Sequence, residues 1–238
     1  MNNIKGLKIK IFADGADIKD MEEARKQGIV SGFTTNPSLM KKAGVTDYEE
    51  FAKKVLAIVP DMPVSFEVFS DDFAQMEREA LKISGWGNNV NVKIPVTNTN
   101  GEPTTELIRK LSARGLFLNV TAIMTAGQVG EVSKVLNPKA RTIISVFAGR
   151  IADSGRDPEP YMKESAAILK SNPNAELLWA SSRELLNIFQ AEACGCHIIT
   201  VTPQILKKIP AIGKDLGLFS LETVRAFHRD AVSSGYKI

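Results

Sequence analysis

Eight short apolar or alternating runs, each followed by a segment with helical spacing, recur along almost the whole chain, and no other feature restricts the fold as strongly. The runs read as strands at Lys8–Phe12, Gly32–Thr35, Val64–Phe69, Val90–Val96, Leu116–Ile123, Thr142–Phe147, Leu177–Ala180 and His197–Val201. Between them, Tyr48, Phe51, Ala52, Val55, Leu56 and Val59 fall on one helical face, as do Met76, Ala80, Leu81 and Ile83 further on. Asp17 before Ile18–Arg25 and Asp47 before Tyr48–Ile58 read as helix N-caps. Eight β-then-α units of roughly 26 residues each have the spacing of a TIM (β/α)8 barrel with short connections. A doubly wound open sheet is the competing arrangement. It usually carries a G-x-G-x-x-G loop after its first strand, and Ala13-Asp14-Gly15-Ala16-Asp17 is not one.

With 238 residues, 44% hydrophobic and 24% charged, and no low-complexity linker, the composition fits a single α/β domain over residues 1–238. After the eighth strand come Pro203–Ile209 and a last helix near Leu221–Ser234, so that residues 221–238 form a helical tail able to cap a barrel or reach a neighbouring subunit. The stretch Ala152–Pro158, rich in Gly, Asp and Pro, reads as a loop. A net charge of +3 with scattered basic residues argues against nucleic acid or an anionic membrane as partner, while anionic small substrates fit. Residues 1–10 carry no apolar signal run, and no stretch approaches a membrane span of about 20 apolar residues, so a cytoplasmic protein is expected. Cys194-Gly195-Cys196-His197 lacks a second ligand cluster, so no metal site is expected, and a single close cysteine pair in a cytosolic chain argues against a structural disulfide. His228, in the C-terminal amphipathic segment, reads as a surface or packing residue.

One residue breaks the apolar pattern of the strands. In Val90-Asn91-Val92-Lys93-Ile94 the apolar residues alternate with Asn91 and Lys93, which puts the lysine on the opposite face. Lysine is seldom fully buried without a partner. Desolvation can lower a lysine pKa by about 3–5 units and leave free amine, the nucleophile of Schiff-base catalysis. A stem that packs while its head reaches water is the other reading. In a barrel of this kind chemistry lies at the C-terminal ends of the strands, and nearly every strand supplies a polar residue there. Asp14 follows the first, Asn36 the second, Glu67 lies on the third, Lys93 on the fourth, Asn119 and Thr121 on the fifth, Ser145 on the sixth, and Ser181 and Arg183 follow the seventh. Each has an ordinary explanation alone: a turn at Asn36-Pro37, a helix cap at Ser181, strand propensity at Thr121. Together they supply one amine, two carboxylates, a hydroxyl and an amide, which suits carbonyl chemistry through an imine. Arg150 and Arg183, assisted by the Ser181 hydroxyl, suit a bidentate phosphate site, against the plain alternative of surface ion pairs.

Six ordered segments carry a resemblance: Phe12-Ala13-Asp14, Thr34-Thr35-Asn36-Pro37-Ser38-Leu39, Val92-Lys93-Ile94-Pro95, Asn119-Val120-Thr121, Ser145-Val146-Phe147-Ala148-Gly149-Arg150 and Ala180-Ser181-Ser182-Arg183. From Ile11 to Leu218 the chain resembles the transaldolase family, in the short-chain branch that includes fructose-6-phosphate aldolase. The resemblance implies a TIM barrel with Lys93 forming the imine, Asp14 shuttling the proton for carbon–carbon cleavage, and Asn36 holding substrate hydroxyls and the lysine. It also implies Glu67 and Thr121 as the pair that positions water, Ser145, Asn36 and Asn119 as groups orienting the three-carbon unit, and no metal or organic cofactor. Sugar phosphates are the implied substrates and a homo-oligomer the implied assembly. Glu67 stands where the aldolases carry glutamine, and Phe147 where they carry tyrosine, so both favour a transferase. The family commonly has Asp-Thr-Ala, Ser-Pro-Phe and Phe-Ser where this chain has Asp14-Gly15-Ala16, Ser145-Val146-Phe147 and Met124-Thr125. The expected activity is a transaldolase acting on fructose 6-phosphate or sedoheptulose 7-phosphate. Its rivals are a plain aldolase, a transaldolase for a sulfonated or deoxy sugar, and a non-catalytic sugar-phosphate-binding barrel.

Overall fold

In a computed structural model, which describes residues 4–237, each apolar run becomes a strand and the helices between the strands pack outside them. The strands are β1 Lys10–Asp14, β2 Gly32–Thr34, β3 Val64–Glu67, β4 Val90–Pro95, β5 Leu118–Ile123, β6 Thr142–Val146, β7 Ala175–Trp179 and β8 Ile198–Val201. The helices are α1 Ile18–Gln27, α2 Pro37–Lys42, α3 Tyr48–Ile58, α4 Phe73–Ser84, α5 Thr105–Ala113, α6 Ala126–Val135, α7 Ala148–Asp153, α8 Glu159–Leu169, α9 Leu186–Ala193, α10 Pro203–Leu206 and α11 Leu216–Ser234. All eight strands pair in parallel and in chain order, and β8 closes on β1, which makes the expected TIM barrel. Residues 8–206 form this barrel as one compact unit.

Alternation along the strands divides the interior into two levels. Phe12, Ile143, Leu178 and Ile198 are buried in one apolar cluster inside the barrel. Two residues further along the same strands, Asp14, Ser145, Ala180 and Thr200 line the pocket at the C-terminal ends. The ring of Phe12 needs the glycine opposite it. A Cβ on Gly32 would lie 2.6 Å from that ring. The remaining strand residues, such as Phe33, Phe66, Ile94, Ile144 and Trp179, are buried beneath helices that contribute Val55, Met76, Ile108, Leu111 and Met162.

Caps fix where the helices begin. Asp17 accepts from the Lys19 and Asp20 amides, Asp47 from Glu50, and Thr125 forms a reciprocal capping box with Gln128. The first strand begins two residues later than the apolar run, because the Lys8 and Ile9 amides bond the Glu192 carboxylate at 3.0 and 2.7 Å. The seventh begins two residues earlier than expected. Glu176 breaks the apolar pattern there, yet pairs with Lys10 at 2.5 Å. The Gly/Asp-rich stretch also differs from its reading as loop throughout, since Ala152 and Asp153 end α7.

A second unit is built from residues 4–7 and 207–237. It contains a 3-10 turn at Ile209–Ala211 and the 19-residue helix α11. The helix starts five positions before the expected Leu221, because the Asp215 carboxylate accepts the Leu218 amide and sets the first turn ahead of Gly217. Residues 1–3 and 238, which the sequence reading includes in the domain and its tail, lie outside the described residues. Among the described residues no helix is long and apolar enough to cross a membrane.

Candidate active site

Parallel pairing brings the strand ends into one ring. At its centre lies a cavity of about 410 Å3 lined by Asp14, Asn36, Glu67, Lys93, Asn119, Thr121, Ser145, Phe147, Arg150 and Ser181, together with Thr34, Ser38, Leu39, Ala122 and Thr200. Ten of the eleven residues singled out in the sequence thus share one pocket. Arg183 is the exception.

Lys93 is 6% exposed, and the β3–β4 register sets it beside Glu67. Its Nζ lies 3.0 Å from Glu67 Oε2 and donates to the Thr35 carbonyl at 2.9 Å. The resting lysine is therefore held in an ion pair with a carboxylate that can take its proton, and its nearest backbone partner is the residue before Asn36. Asn36 itself caps α2, where its side-chain oxygen accepts the Leu39 amide at 3.0 Å. That leaves the Asn36 amide NH2 as the group it can offer the cavity.

Asp14 stands across the pocket at the end of β1. Thr34 Oγ1 donates to its Oδ1 at 2.8 Å and lies 2.6 Å from Thr200 Oγ1. Thr34 has one hydroxyl proton, so with that proton on Asp14 the chain runs from Thr200 to Thr34 to Asp14. Burial raises the Asp14 carboxyl above its ordinary value, against smaller lowering effects of Lys93 and the Thr34 hydroxyl. A carboxylate so placed is a better proton acceptor than one in water.

The far wall is a fixed polar chain. Ser145 Oγ donates to Asn119 Oδ1 at 2.6 Å, and Asn119 Nδ2 donates to Ser65 Oγ at 3.0 Å. Thr121 lies two residues beyond Asn119 on the same face of β5, and a register shift against β6 lies between Val120 and Ile123, where Ala122 adopts a left-handed φ of 62°. Its Oγ1 is buried, and among the described residues it has no hydrogen-bond partner. Such a hydroxyl can hold a reacting water.

At the mouth, Phe147 packs on the interior cluster and Arg150 of α7 faces the cavity. Arg183 is committed elsewhere: Nε bonds Asp153 Oδ1 at 2.9 Å, Nη2 bonds Asp153 Oδ2, and Nη1 donates to the Ser181 carbonyl at 2.8 Å and hydroxyl at 2.9 Å. It shapes the loop rather than the wall. Arg183 holds the Asp153 carboxyl below its usual value. Ser181 has a left-handed φ of 63°, and its carbonyl sits against Gly149. Rather than capping a helix, it lines the cavity while its hydroxyl accepts from Arg183; α9 begins at Leu186. Thr34, Thr200 and Ser65 join the site without having been singled out, because a threonine or serine on a strand agrees with β-propensity or a neutral surface equally well. Ser65 is signalled by its two-residue spacing from Glu67 and Thr34 by its spacing from Asn36, whereas Thr200 has no such neighbour.

Comparison with other proteins bears on this arrangement. The profile of the Transaldolase/Fructose-6-phosphate aldolase family matches residues 11–236. A protein of Dehalococcoides mccartyi named "Probable transaldolase" is 34% identical over 204 residues, which cover 84% of this chain and 90% of that protein. Another of that name, from Chelativorans sp., is 33% identical over 234 residues, 97% of this chain and all of its own length. "Probable transaldolase 2" of Listeria monocytogenes is 34% identical over 202 residues, 84% of this chain and 88% of its own. Among solved structures, a truncated form of 3-deoxy-D-arabino-heptulosonate 7-phosphate synthase from Thermotoga maritima superposes with a TM-score of 0.52 at 14% identity, covering 96% of this chain and 88% of its own. That last likeness concerns the barrel fold alone.

Proposed function

The chain belongs to the transaldolase/fructose-6-phosphate aldolase family, and from that premise we propose that it moves a dihydroxyacetone unit from a ketose phosphate to an aldose phosphate through a Schiff base on Lys93. Fructose 6-phosphate and sedoheptulose 7-phosphate are the donors. The observation that carries the reading is the buried Lys93 Nζ, 3.0 Å from Glu67 Oε2, on the same cavity as Asp14.

Glu67 takes a proton from the ammonium, and the free amine adds to the C2 carbonyl of the donor. The carbinolamine then loses its hydroxyl as water, protonated from a water held between Glu67 and the unpaired Thr121 hydroxyl, and a protonated imine remains. Asp14 removes the proton of the C4 hydroxyl. The C3–C4 bond breaks, its electrons flow into the imine, and an aldose phosphate leaves while the three-carbon enamine stays on Lys93. A second aldose phosphate accepts the unit by the reverse sequence. Asn36, Asn119 and Ser145 orient the three-carbon fragment, and Arg150 with Ser181 binds the phosphate, in a loop that Arg183 braces. The scheme uses no metal or organic cofactor. Phe147 lines the cavity where a tyrosine would bring a hydroxyl, and this supports retention of the enamine for transfer over its release as free dihydroxyacetone. We further read the chain as a cytoplasmic homo-oligomer serving pentose phosphate metabolism.

Sodium borohydride with fructose 6-phosphate tests the reading. The expected result is a reduced three-carbon adduct on the peptide containing Lys93, and transfer to an added aldose phosphate. Adduct without transfer, with free dihydroxyacetone as product, would make the protein an aldolase. An adduct only with a sulfonated or deoxy donor would change the sugar, and binding with no adduct from any donor would leave a silent barrel.

A further inference from the structure

The pairing of β2 with β3 stops one rung short of the lysine, and the reason lies outside the barrel strands. Phe33 donates to the Pro63 carbonyl at 2.9 Å and Thr35 donates to the Ser65 carbonyl at 3.2 Å. Parallel rungs are evenly spaced, so the next return rung would run from the Glu67 N–H to the Thr35 carbonyl. That carbonyl instead accepts Lys93 Nζ at 2.9 Å. The rung after it would bring an N–H from residue 37 to the Glu67 carbonyl, but residue 37 is proline and has none. Both backbone groups of Glu67 on this side have therefore lost their strand partners.

Tyr48, the first residue of α3, supplies both. The Glu67 N–H donates to its phenol oxygen at 2.7 Å, and the phenol O–H donates to the Glu67 carbonyl at 3.0 Å. The ring is fixed by edge contacts with Phe66 at 6.0 Å and Trp86 at 5.2 Å and by a tilted contact with Phe69 at 4.5 Å. Burial pushes the phenol above its ordinary value, so it remains a neutral donor and acceptor. On the reading that Lys93 forms the imine, we propose that Tyr48 is a positioning residue for the Lys93–Glu67 pair. Its phenol replaces the missing strand at Glu67, which leaves the Thr35 carbonyl to hold the lysine head against the carboxylate. Without the hydroxyl, the Glu67 N–H and the Lys93 ammonium compete for one carbonyl. Tyr48 does not line the cavity, so it acts through Glu67 and not on substrate.

The test uses the full chain and the rate at which fructose 6-phosphate is trapped on Lys93 by borohydride. Tyr48→Phe keeps the ring and removes both bonds. It is expected to slow trapping and kcat about tenfold with KM changed less than about twofold, the split for a misplaced reacting group. Trp86→Phe, which disturbs the ring's packing and leaves the phenol bonds, is expected to lower the thermal midpoint and leave trapping unchanged. Equal trapping by wild type and Tyr48→Phe, or a loss that falls on KM and not on kcat, would overturn the positioning role alone. Absence of any Lys93 adduct in the wild type would remove the imine premise, and this proposal with it.

Discussion

At Asp14 the burial that suits the proposed proton transfer works against stability. The burial that raises its carboxyl also makes the ionised form costly in the folded state. The folded protein holds the proton more tightly than the unfolded chain, so stability falls as pH rises from about 3.8 through the raised folded value, and above it the buried carboxylate is a constant penalty. Asp14→Asn is therefore expected to be more stable than wild type at pH 7, with a midpoint higher by roughly 2–4 °C for each ~1 kcal/mol gained. The gain is expected to shrink as pH is lowered through the raised value, while kcat drops by about 10²–10⁴ at neutral pH for want of a proton acceptor. Thermal melts across a pH series check this, and a variant less stable than wild type at pH 7 would refute it. Asp14, Glu67 and Lys93 were readable in the sequence because charges on buried strands break an apolar pattern. Tyr48 was not, since an aromatic on the apolar face of a helix looks like core, and its hydroxyl meets Glu67 only after folding. Arg183 could be read as a phosphate ligand because its partner Asp153 lies 30 residues earlier in the chain.

At the level of elements, the Arg150–Ser181 end of the site, proposed to bind phosphate, depends on how closely the start of α7 approaches the loop after β7. A Cβ on Gly149 would lie 1.6 Å from the Ser181 carbonyl oxygen, so the two backbones can meet only at a glycine. This approach goes with the left-handed conformation of Ser181, a backbone state of order 1–3 kcal/mol above the ordinary ones for a non-glycine residue. Gly149→Ala must push the loop outward, displacing Ser181 and the Asp153–Arg183 pair together. The expected cost is about 1–3 kcal/mol of stability. KM for a phosphorylated donor is expected to rise about tenfold while turnover of an unphosphorylated one changes little, because the lysine wall is untouched. Steady-state kinetics with both donors decides the matter, and an equal loss on both would sink it. The strands and the ring of polar ends were legible from alternation and spacing. This contact was not, because the motif containing Gly149 says nothing of which carbonyl faces it, nor did any pattern announce the bulge that sets Ala122 in a left-handed conformation.

On the scale of the whole molecule, the repeat of eight units was enough to specify the closed barrel, because a parallel strand order with one helix per crossover leaves few alternatives. The terminal unit had no such repeat, and there the expected helix began five residues late. Its helix α11 has no buried residue, and Leu216, Phe219, Val224, Phe227 and Val232 are among its large apolar side chains left exposed. Soluble monomers seldom expose so many together on one element. A helix of 19 residues, about 28 Å long, can bury them only against another surface, and we propose that this surface belongs to a second copy of the chain. The chain mass is 26.0 kDa, so light scattering on the full-length protein is expected to give a multiple of that value. Val224→Asp with Phe227→Asp places two charges on this exposed helix and is expected to lower the mass toward that of one chain. A wild type that scatters as a single chain would rule the homo-oligomer out, and a double variant of unchanged mass would move the contact to another face.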